Sequence, residues 1–76
     1  MNSIETYSSI TTLIEKLIER ENETISIYER VIHETGDSVV KPLLLELIHE
    51  QQHHRELLEK ELEELNEQFE LDEAIV

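Results

Sequence analysis

One glycine and one proline, Gly36 and Pro42, are the only strong helix breakers in the chain. In a helix interior Gly costs about 1 kcal/mol and Pro about 3 kcal/mol relative to Ala, so a sequence lacking both can stay helical over long stretches. The two breakers fall together near the middle of 76 residues and divide the chain into two segments that each read as helix. In the first segment Ile10, Leu13, Ile14, Leu17, Ile18, Ile25, Tyr28, Val31 and Ile32 recur at helical spacing, which marks one apolar face. Gly36 then supplies a left-handed C-terminal cap. In the second segment Asp37 and Ser38 offer N-caps, and Pro42 suits a first turn. Leu43, Leu47, Leu57, Leu58, Leu62 and Leu65 form its stripe, which Leu44, Leu45 and Ile48 widen.

These signals predict a single all-α domain, with helix one over about residues 9–35, helix two over about 39–68 and a tail over 69–76. Residues 1–8 are polar and read as loose. Thr12 and Glu15 have capping-box spacing near the start of helix one. The tail, with Phe69, Leu71, Ile75 and Val76 among acids, is expected to form a short third helix or to fray. Two long helices joined by a short turn make an antiparallel hairpin. A lone hairpin leaves much of each stripe wet, so the expected assembly is a two-fold homodimer or higher homo-oligomer that closes a four-helix bundle.

Charge narrows the partners. Nineteen acidic residues against six basic ones give a net charge of -13, which argues against nucleic acid and against anionic membranes. No apolar run approaches the roughly 20 residues that span a bilayer, and residues 1–10 contain no Lys or Arg, so neither a membrane span nor a signal peptide is expected and the location reads as cytoplasmic. Without Cys, any metal would be held by carboxylates and imidazoles, which suit iron, manganese or zinc.

Polar residues that interrupt the apolar stripes carry the functional signal. At roughly 100° per residue, Ile14, Ile32, Ile10 and Tyr28 lie within roughly 20° of Glu21, which puts Glu21 at the centre of the first stripe. Glu50 lies within about 20° of Leu43 and Leu57, with His53 about 60° to one side and His54 about 40° to the other. Glu50 and His53 form a Glu-x-x-His motif directed toward the bundle interior. A carboxylate in an apolar interior is costly unless it is paired or binds metal. Arg20 and Arg55, the nearest cations, lie off the centre line. Doubling by a two-fold axis gives four Glu and two His, the ligand set of di-iron carboxylate bundles.

Those two runs, from Glu21 through Tyr28 to Glu29 and from Glu50 through His53 to Leu58, resemble the ligand helices of the ferritin-like superfamily. They are most similar to the encapsulated ferritins, whose short chains carry half a ferritin bundle and complete the site across a dimer. The resemblance covers about residues 13–65. It implies Glu21 as the first-helix ligand, Glu50 as a carboxylate bridging two iron ions, His53 as the imidazole ligand, and Tyr28 as a tyrosine near the metals. It also implies an encapsulin shell as a partner compartment, although residues 67–76 show no Gly/Ser/Leu-rich docking peptide.

The remaining polar residues have plainer readings. Glu23 is the alternative first-helix ligand if the helix is rotated. Glu46 and His49 form a second Glu-x-x-His, but His49 lies about 100° from the Glu50 direction and reads as a surface or interface residue. His54 reads as a partner of a ligand or an interface residue, and His33 as a favourable charge at a helix C-terminus. Glu59, Glu61, Glu63, Glu64 and Glu67 read as a solvated face. The expected activity is oxidation of Fe(II) to Fe(III) at a site shared by two chains, in support of iron storage or detoxification. The alternatives are a metal-free helical oligomerisation module and a rubrerythrin-like peroxide reductase, the latter lacking any Cys-based electron donor on this chain.

Overall fold

The computed structural model describes the backbone of residues 3–36 and 38–75 and the side chains of residues 5–36 and 38–71. Two helices, α1 (Ser3–Thr35) and α2 (Lys41–Ile75), pack against each other as a hairpin. Bonds from Tyr7 to Asn66 and from Arg55 to Asn22 fix an antiparallel register. The result is a rod of 58 × 16 × 14 Å.

The turn follows from its residues. Gly36 adopts φ 63°, and its N–H donates to the Ile32 carbonyl at 2.8 Å. That single bond from a left-handed glycine to the last free carbonyls is the αL helix cap. Ser38 N–H then donates to the Gly36 carbonyl and Lys41 N–H to the Ser38 carbonyl, which turns the chain into α2. Pro42 occupies the second position of α2, where its missing N–H has no helical partner to lose. Asp37, read above as an N-cap, lies outside the described residues.

Both helices are longer than the sequence signals suggest. α1 begins at Ser3 rather than near residue 9, and α2 runs through the expected tail to Ile75 without a break or a third helix. The two extra ends cover each other. Tyr7 stacks on Phe69 with ring centroids 4.1 Å apart, and its hydroxyl donates to Asn66. The expected cap at Thr12 is therefore inside the helix. Its neighbour Thr11 donates its hydroxyl back to the Tyr7 carbonyl at 2.9 Å, a bond that threonines make within helices.

Between the helices a row of buried and partly buried residues recurs at alternating spacings of four and three. In α1 the row comprises Tyr7, Thr11, Ile14, Ile18, Glu21, Ile25, Tyr28 and Ile32. In α2 it comprises Leu44, Ile48, Gln51, Arg55, Leu58, Leu62, Leu65 and Phe69. This is the seam of an antiparallel coiled-coil hairpin. Among the described residues Ile14, Ile25 and Ile48 are the buried hydrophobic side chains, and none of them is wholly removed from solvent. The α2 stripe is thus divided differently from the expectation: Leu44 and Ile48 enter the seam, while Leu43 and Leu57 remain more than half exposed.

Gly36→Ala tests the turn. A side chain at φ 63° costs about 1–2 kcal/mol. Urea unfolding at fixed protein concentration is expected to show that loss with an unchanged m-value.

Candidate metal centre

Glu21 lies in the seam between Ile18 and Ile25, where a hydrophobic residue would continue the pattern. Its side chain keeps 21% of its accessibility. Its Oε1 lies 3.8 Å from His54 Nδ1 on the facing helix, and its Oε2 is shielded from water with no hydrogen-bond partner. An unpartnered, shielded carboxylate oxygen costs about 1–3 kcal/mol or more, so the position selects for a donor or a cation that answers it.

The seam cation does not. Arg55 donates from Nη1 to Asn22 Oδ1 at 2.9 Å, and its Nε lies 3.8 Å from Glu59 one turn on. Both partners draw it to the edge of the seam away from Glu21. Arg20 is exposed on α1. Glu21 therefore faces an imidazole and no guanidinium.

Helical geometry sorts the other sequence-derived residues about this point. Glu50 lies one helical turn before His54 and is exposed, in line with Leu43 and Leu57. His54 falls between that line and the seam. His53 is rotated by roughly 100° from His54, away from α1, and is exposed on the outward face of α2. The structure thus brings Glu21 and His54 together, sets Glu50 beside His54 on the same flank, and turns His53 elsewhere. Tyr28 is half-buried in the seam two turns after Glu21. Glu23, the alternative first-helix ligand, is exposed, as are Glu46 and His49.

Helical periodicity sets His53 and His54 on either side of Glu50 and does not choose between them, because only the position of α1 distinguishes the two sides. Among the described residues no three His, Asp or Glu side chains of one chain converge on a metal-sized site. A single hairpin contributes a carboxylate and an imidazole at the seam edge and a further carboxylate on the flank.

That flank is also the apolar one. Ile10, Leu13 and Leu17 of α1 share it with Leu43 and Leu57 of α2, and all five are exposed. No helix among the described residues is long and apolar enough to cross a membrane. No family model, curated protein or solved structure matches this chain.

Glu21→Leu tests the cost of the seam carboxylate. In metal-free buffer it is expected to raise stability by about 1–3 kcal/mol, because a shielded acceptor without a donor is replaced by a side chain that fits the seam pattern. Thermal unfolding with chelator present measures it, and a loss of stability would mean that the Glu21–His54 contact is itself worth more than the orphaned oxygen costs.

Proposed function

We propose that two hairpins pair through the flank carrying Leu13, Leu17, Leu43 and Leu57 to form a four-helix bundle, and that the acidic groups gathered there take up Fe(II) and support its oxidation to Fe(III). The observation that carries this reading is the shielded, unpartnered Oε2 of Glu21 beside an imidazole, on the side of the molecule that is both apolar and uncovered. Pairing would bring two copies of Glu21, Glu50 and His54 to one volume. That donor set, four carboxylates and two imidazoles, suits a pair of first-row divalent ions.

Iron is the substrate in this reading. Two ferrous ions give up one electron each to dioxygen or peroxide, and the ferric product leaves for storage. The protein's part is to hold, orient and neutralise. Glu21 and Glu50 supply negative charge whose attraction strengthens as the ions pass from 2+ to 3+. Glu50, on the flank, would be shared between chains in this reading. His54 supplies a neutral nitrogen donor, and we assign it the imidazole role that the sequence resemblance gives to His53, because it is the histidine that meets Glu21. Tyr28 lies in the seam two turns from Glu21 and would line the approach to the site rather than replace a ligand. Apolar Leu17 and Leu57 would exclude water around it. Manganese or zinc would fit the same donors without the redox step.

A second reading has its own support. Protonated His54 would itself pair with Glu21 at 3.8 Å, and the hairpin would then be a metal-free module that associates through its exposed leucines.

Sedimentation and iron oxidation separate the two. Anaerobic loading with ferrous ion followed by air is expected to give two irons per dimer and oxidation well above that of buffer. Glu50→Ala combined with His54→Ala should lower the rate at least tenfold while the dimer persists. Oxidation at the wild-type rate in that variant, or a melting temperature and mass indifferent to chelator and to iron alike, would leave the metal-free module as the answer.

A further inference from the structure

The outward face of α2, turned from α1 and next to the apolar flank, carries a second group of metal-ligating side chains. His49 and His53 lie four residues apart on it, both exposed, with Glu46 three residues before His49. Residues i and i+4 of a helix differ by about 40° in direction and about 6 Å in rise, so their side chains lie one above the other. This is the spacing by which helical histidine pairs grip one metal ion from a single face. Exposure on this face leaves both imidazoles able to rotate their ring nitrogens toward a common point.

We infer that His49 and His53 chelate a borderline divalent ion, of the nickel, copper or zinc type, on the outer face of α2, separately from the carboxylate-rich flank. Two imidazoles with water in the remaining positions favour these ions over iron(II) and manganese(II), which stand lower in the order of divalent affinities. Three converging protein donors are not needed for such a chelate. The second imidazole binds within the molecule once the first has engaged, and this effective concentration raises affinity by about a hundredfold over a single histidine. The net charge of -13 raises the local cation concentration around the same surface. Glu46 offers a nearby carboxylate but is not required. The site assigns chemistry to the histidine that faces away from Glu21, and so gives His53 and His54 different tasks.

The test is titration with Ni(II) alone at neutral pH, followed by calorimetry and by helix melting, on wild type, His49→Ala, His53→Ala and Glu21→Ala. Because the histidines are exposed, the folds of the variants are expected to be unchanged by circular dichroism. One tight Ni(II) per chain is expected in wild type and in Glu21→Ala. His49→Ala and His53→Ala should each weaken it about a hundredfold and remove the metal-dependent rise in melting temperature. Retention of wild-type affinity in His49→Ala would overturn the chelate. So would loss of the tight ion in Glu21→Ala, which would place the nickel at the flank. Because Glu21→Ala removes a ligand of the proposed iron site alone, failure of that site leaves the nickel result unaffected, and failure of the chelate leaves iron oxidation untouched.

Discussion

Ile14, Ile25 and Ile48 are the buried hydrophobic side chains of the described hairpin, and they lie along one line between two helices. In the proposed dimer two helices of 33 and 35 residues would gain further apolar burial. The exposed Ile10, Leu13, Leu17, Leu43 and Leu57 supply the surface for it. Small domains without disulfides commonly draw stability from partner subunits, metal or well-packed helices, and in the proposed assembly the exposed leucines would serve the first and the carboxylates and imidazoles the second.

Glu21 shows how the two needs meet in one residue. It occupies a seam position that packing alone would fill with Leu, and it leans to the side on which the leucines are uncovered. A carboxylate oxygen shielded there without a donor is a local conflict with the otherwise regular pattern. Conflicts of that kind fall at functional or strained positions, since elsewhere they only weaken the fold. Arg55 could have resolved the conflict within the hairpin. Asn22 and Glu59 hold it instead, which leaves Glu21 to His54.

Gly36 and Pro42 make the hairpin legible in the amino-acid sequence, because a glycine at positive φ and a proline in a first turn act locally. The helix ends are less legible. Thr12 and Glu15 have the spacing of a cap, yet the same spacing occurs inside helices, and what extends α1 is Tyr7 stacking on Phe69 from the far end of the chain. The division of each apolar stripe is not legible either. A stripe wider than the seam contains two faces, and neither periodicity nor composition says which leucines meet α1 and which remain for another surface. Leu43 and Leu57 on one side, and Leu44 and Ile48 on the other, are separated by one residue's rotation and by the position of the facing helix. His53 and His54 are distinguished in the same way.

In the proposed dimer the acidic surplus would couple association to cations. Two chains of charge -13 would repel as they approach, and the apolar flank would work against that repulsion. In the proposed dimer Glu21 and Glu50 of both chains would meet, so the repulsion is strongest where the leucines gather. Divalent ions bound among those carboxylates would neutralise them and favour the paired state over the separate hairpins. Linkage makes the relation reciprocal: if metal tightens pairing by some factor, pairing tightens metal binding by the same factor. A chain with Leu in place of Glu21 would associate without that dependence, and it would lose the means of making assembly answer to the supply of metal. The outer histidines lie further round α2 from the seam, His53 at about 60° and His49 at about 100° from the Glu50 direction, so the ion they would hold is separate from those among the flank carboxylates.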